Sequence, residues 1–113
     1  MTTAEMPIFS KTFDFLNWLL PATNHFPRAH RHSFTQRLLH SAFSLRERLE
    51  EANIRQGAAR RERLTAADEA LAHVRMYLRL AEKWGWLSAG QYEHVALMVT
   101  EIGRLLGGWQ KKS

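Results

Sequence analysis

QYEHVALMVTEIGRLLGGW, residues 91–109, decides the fold. Tyr92, Val95, Ala96, Val99, Ile102, Gly103 and Leu106 recur at three- and four-residue steps, the apolar face of an amphipathic helix. Ser88 precedes the stretch and Gln91 follows three residues later, the spacing of a capping box. Gly107 and Gly108 predict the helix end, since glycine enters the left-handed region without a Cβ penalty. Trp109 then folds back over the end of the bundle. Gly103 and Gly107 lie on one side of the helix, where a neighbouring helix can come close; in a soluble helix such a pair reads as packing.

Upstream, Phe9, Phe13, Leu16, Leu19 and Leu20 form the stripe of a first helix, with Phe15 and Trp18 widening it. Ser10 is placed to cap it and Asp14 to suit its positive end. Pro21 predicts a kink, and Phe26-Pro27 a stop. Pro27 then suits the first turn of a second helix. Phe34, Leu38, Ser41, Ala42, Leu45, Leu49 and Ala52 keep a seven-residue rhythm along it. At 1.5 Å per residue this rod is roughly 40 Å long. Ile54-Arg55-Gln56-Gly57 breaks it. Leu64, Ala67, Leu71, Val74, Leu78 and Ala81 carry a third helix, which starts between Ala59 and Thr65, with Thr65 and Asp68 available as its cap. Trp84-Gly85-Trp86 closes it, Gly85 being the natural left-handed residue.

The predicted organisation is therefore a loose tail over 1–7, helices near 9–24, 28–53, 60–84 and 89–106 forming one domain over 8–109, and a basic tail over 110–113. No alternating period-two run suggests a sheet, and no repeat is present. Short links between long helices make antiparallel neighbours, so the expected fold is all-α: an up-down-up-down four-helix bundle.

The 113 residues include no cysteine, which excludes disulfides and thiolate chemistry. No signal-peptide pattern and no run near the ~20 apolar residues of a membrane span occurs, so a cytoplasmic, non-membrane protein is expected. The net charge is +5 and the pI about 10.2. Twelve of the sixteen cations are arginine, which forks onto phosphate with two hydrogen bonds. A basic, arginine-biased domain suggests nucleic acid; the plainer reading is a solvated basic surface.

No constellation points to catalysis. His30 and His32 project about 200° apart on a helix and cannot share a metal. No His-Glu-x-x-His occurs, and Glu93-His94 are adjacent rather than three apart. The histidines read as surface groups. Glu47, Glu50 and Glu51 pair along the helix with Arg46, Arg48 and Arg55. No serine lies in a nucleophile elbow, and GRLLGG is no phosphate loop. Small helical chorismate mutases hold a dicarboxylate with arginines between helices, and Arg75 and Arg79 invite that comparison. Snorkelling of the two side chains is the simpler reading. No enzyme, cofactor or metal is expected.

The basic clusters carry the binding reading. Arg28 and Arg31 open the second helix. Arg55, Arg60, Arg61 and Arg63 surround the next link. Arg75, Arg79 and Lys83 form a ladder, and Lys111 and Lys112 a tail. Cations spread over both ends suit phosphate contacts more than base readout. Trp84, Trp86 and Trp109 are able to stack on bases, though packing is the commoner use of tryptophan at a bundle end.

Phe26-Pro27-Arg28, Glu51-Ala52-Asn53, Leu78-Arg79-Leu80-Ala81, Gln91-Tyr92-Glu93-His94 and the run Glu101 to Trp109 together resemble the accessory variability determinant (Avd) family of diversity-generating retroelements. The segment Phe13 to Pro21 is similar too, so the likeness extends from about Ile8 to Lys111. A wider group includes four-helix proteins encoded in ribosomal RNA intervening sequences; the ending here is closer to the Avd branch. The resemblance implies a non-catalytic accessory protein and a homopentameric barrel. It also implies binding to RNA or DNA and to the element's reverse transcriptase in support of mutagenic reverse transcription. It transfers no catalytic motif. The alternative is a structural helical oligomer, or an intervening-sequence-type protein, without a retroelement role.

Overall fold

The computed structural model describes residues 6–113. Four α-helices make up the fold: α1 Pro7–Thr23, α2 Gln36–Asn53, α3 Gly57–Lys83 and α4 Ala89–Lys112. Among the described residues there is no strand. Each helix packs mainly on its two neighbours in the ring α1-α2-α3-α4, with α2 and α3 the most intimate pair. Side-chain contacts fix the directions. Phe9 near the start of α1 meets Trp109 near the end of α4, and Arg46 late in α2 reaches the Phe9 carbonyl. Arg63 early in α3 meets Glu51 late in α2. Neighbours therefore run antiparallel, in a body of 43 × 24 × 20 Å.

Residues 1–5 of the expected tail lie outside the described residues, and its last residue, Pro7, opens α1 instead. Proline at the first helical position removes an N–H that would have no partner there. With the helix starting at Pro7, Ser10 sits inside it rather than at its cap, and its Oγ donates to the Pro7 carbonyl at 2.9 Å. Asp14 accordingly falls beyond the first turn. The earlier start also sets the buried face. Ile8, Phe9, Thr12, Phe15, Leu19 and Thr23 face inward, whereas Phe13 and Leu20 of the expected stripe point out. Pro21 lies in the last turn, and α1 ends at Thr23 with Asn24 as its cap.

The second helix does not begin as an α-helix at Arg28. Arg28–His30 form a 3₁₀ turn and Arg31–Thr35 a π turn before α2 starts at Gln36. The widened turn keeps Phe34 and Thr35 buried, in register with Leu38, Ser41, Ala42, Leu45, Leu49 and Ala52. α3 starts earlier than Ala59: Gln56 is extended and Gly57 takes φ +59°, so the chain reverses there, and Thr65 and Asp68 fall in the middle of the helix, exposed, rather than at its cap. Its far end is a Schellman motif. Gly85, at φ +76°, donates to Glu82 O at 3.0 Å, and Trp86 donates to Ala81 O at 2.8 Å.

α4 opens with the capping box: Gln91 N donates to Ser88 Oγ at 3.1 Å and Ser88 N donates to Gln91 Oε1 at 2.9 Å. The helix does not stop at Gly107-Gly108 but continues to Lys112. Packing overrides propensity here, since Trp109 is seated edge-on against Phe9 at 6.1 Å. Trp109 is thus part of the helix, and the expected 110–113 tail is mostly its last turn. Gly103 does not admit a neighbouring helix: an added Cβ would meet the Arg75 guanidinium, and at Gly107 it would meet open space.

Candidate nucleic-acid interface

The helix ends sort the basic residues into three groups. At the end where α2 turns into α3, Arg55, Arg60, Arg61 and Arg63 come together with Lys111 and Lys112. Most of these arginines are engaged internally. Arg60 Nε donates to Ala52 O at 3.0 Å, satisfying a terminal α2 carbonyl, and its guanidinium stands 5.8 Å from the Trp109 ring. Arg55 Nη1 donates to Glu51 O at 2.9 Å. Arg63 pairs with the Glu51 carboxylate at 3.2 Å. Glu51 also holds Arg48. Arg48 Nε lies 2.7 Å from Oε1 without its N–H being aimed there, and the aligned bond runs from Nη2 to Oε2 at 2.9 Å. Arg61 is exposed and donates to Ser113 O at 3.3 Å. Lys111 and Lys112 project from the last turn of α4, where positive charge complements the carbonyl end of the helix.

Along α3, Arg75, Arg79 and Lys83 are exposed, with no hydrogen bond or ion pair among the described residues. Arg75 and Arg79 flank an open groove against α4, lined by Leu78, Tyr92, Ala96, Val99 and Thr100. Arg75 lies across the α4 backbone at Gly103, which leaves room for it. The same two arginines border a second shallow groove with Met76, Glu82 and Lys83. Both grooves face solvent.

At the opposite end of the bundle, Arg28 and Arg31 sit on the 3₁₀ and π turns, exposed and likewise unpaired among the described residues. Beside them is an aromatic cluster. His30 stacks on Trp86 at 5.4 Å with 21° between the rings. Trp86 and Trp84 both make T-shaped contacts with Phe34, at 5.2 and 5.4 Å. Trp84 remains 50% exposed.

Sequence reasoning missed Arg37. It lines a groove between α2 and α3 with His32, His40, His73 and Tyr77. The steps 32, 36, 40 along the helix were available as a signal, but the contribution of His73 depends on how α3 packs. Among the described residues no group of three or more His, Asp or Glu is placed to hold a metal ion. No described helix is long and apolar enough to cross a membrane. One exposed ion pair shifts the titration of both its partners. Arg104 hydrogen bonds, at 2.6 and 2.9 Å, hold the Glu101 carboxyl below its ordinary range, and the carboxylate raises Arg104.

A family model described as bAvd-like matches residues 6–113. Among curated proteins, none matches the chain.

Proposed function

The chain belongs to the bAvd-like family, and from that membership we propose that it is a retroelement accessory factor that holds nucleic acid and the element's reverse transcriptase together. Avd-type proteins are accessory and non-catalytic, so its contribution to mutagenic reverse transcription is binding. The observation that carries the nucleic-acid part is the set of solvent-facing cations free of internal partners among the described residues. They include Arg28, Arg31, Arg75, Arg79, Lys83, Lys111 and Lys112, together with Lys11 and Arg37, on a chain of net charge +5. Arg61 joins them. Arg55, Arg60 and Arg63 add their charge from within bonds that shape the α2–α3 turn. Each phosphate neutralised releases counterions, so template RNA or its cDNA binds with steep salt dependence.

Self-association multiplies this. Phe13, Leu20, Phe43 and Leu97 are exposed large apolar side chains on α1, α2 and α4, a distribution that suits contact with further copies. A homopentamer, working in the cytoplasm, carries five times the charge of one subunit and presents RNA and polymerase at high effective concentration.

Titration with single-stranded RNA and DNA at low and moderate salt tests the reading. Binding at low salt that weakens steeply as salt rises supports it. An absence of binding at low salt favours a purely structural helical oligomer.

A further inference from the structure

We propose that the aromatic pocket formed by His30, Phe34, Trp84 and Trp86 receives an unpaired nucleobase of a single-stranded polynucleotide, with Arg28, Arg31 and Lys83 on the flanking phosphates. The proposal rests on the nucleic-acid reading above and gives it a site and a strand preference.

The four tryptophans of the chain are not equivalent. Trp109 is held between Phe9 and Arg60, and Trp18 lies against His94 within the α1–α4 contact. Trp84 and Trp86 differ because the Schellman motif turns the chain between them. Trp86 is anchored through its backbone N–H to Ala81 O, and its ring packs on Phe26 at 5.7 Å. Trp84 stands 5.0 Å from Trp86 and 5.4 Å from Phe34, yet half of it faces solvent. An open aromatic face is thereby fixed from behind by core residues. His30 shows what that surface accepts: a flat nitrogen heterocycle, nearly parallel to the Trp86 ring. His30 is itself exposed, so an incoming base displaces it from the Trp86 ring. Ser33 lines the same pocket and offers a hydroxyl to a base edge.

Charge identifies the occupant. Arg28 and Arg31 bracket His30 in the chain, and Lys83 directly precedes Trp84. All three are exposed and unpaired among the described residues. Glu82 is the one acidic neighbour in the last turn of α3. An apolar protein side chain would fill the pocket without engaging the three cations near it in the chain. A base with a phosphate on either side answers both features. Duplex bases are stacked on each other and cannot enter. Stacking on aromatic side chains tolerates any base, so the site selects single strands without reading sequence.

Anisotropy titrations at low salt with a short oligothymidylate and with an abasic strand of equal length and charge test this. The wild-type chain should prefer the base-bearing strand by about 5- to 150-fold, the range for one stacked base. Trp84→Ala should abolish that preference and leave abasic binding unchanged, while Trp84→Phe retains most of it. Should Trp84→Ala lose helix content by circular dichroism, His30→Ala takes its place: freeing the Trp86 face that His30 covers should raise the preference, and an unchanged or lowered preference overturns the pocket. Equal binding of both strands by the wild type overturns the pocket and leaves it to a protein partner. So does a preference that survives in Trp84→Ala. In both cases the nucleic-acid reading stands; if neither strand binds, that reading fails as well.

Discussion

At the scale of single residues, arginine has two separate uses in this chain. Arg60 closes a helix: it donates to Ala52 O and covers Trp109, so Arg60→Ala should lower unfolding free energy by about 1–3 kcal/mol. Lys111→Ala, on an exposed side chain, should stay within about 0.5 kcal/mol of wild type. Urea unfolding of the two variants checks the division. Glu101 supplies a pH test. Its carboxyl is held low by Arg104, so the stabilisation is present above the unfolded-state carboxylate pKa and fades as pH falls through the lowered native one. The melting temperatures of wild type and Glu101→Gln should therefore differ near neutrality and converge in acid. Residue type was readable in advance, but which arginine finds a partner was not. The Arg60 and Arg63 bonds exist only because α3 folds back along α2, information that no local stretch of sequence contains. Trp84 and Trp86 look alike in sequence, and only the turn at Gly85 gives them different exposure.

At the scale of the element, α4 separates what was local from what was not. Its apolar stripe and its capping box follow from spacing alone, and the structure has both. Ser88→Ala should cost about 1 kcal/mol, read from thermal or urea melts. The end of α4 depends on Trp109 meeting Phe9, a contact between residues a hundred positions apart, which carries the helix through two glycines. Because Gly107 and Gly108 are helical and a Cβ at either meets nothing within 4 Å, Gly107→Ala and Gly108→Ala should each stabilise by about 0.5–1 kcal/mol. Destabilisation would mean that the helix stops where the glycines suggest. Gly85→Ala should go the other way, since φ +76° strains any residue with a Cβ. On α1, the outward turn of Phe13 and Leu20 escaped the sequence reading because a stripe of apolar residues does not say which of them meet water. The heptad face of α2 was legible; the π turn that starts it was not, because it depends on Phe34 reaching the aromatic cluster.

For the whole molecule, the proposed function is that cations on a rigid helical frame, repeated by self-association, grip a polyanion and bring a polymerase to it. Mass measurement in solution should return a closed oligomer, and replacing Phe13 and Leu20 by serine should shift it towards single subunits with helix content kept. The most direct test is the affinity for single-stranded RNA as a function of salt, for wild type and for a variant with Arg28, Arg31, Arg75, Arg79 and Lys83 replaced by glutamine. The account predicts a steep linear fall of log affinity with log salt for the wild type, with a slope near −0.7 per phosphate contacted, and a shallower slope with weaker binding for the variant. Equal slopes and affinities for the two proteins, or no binding by either at low salt, would contradict it.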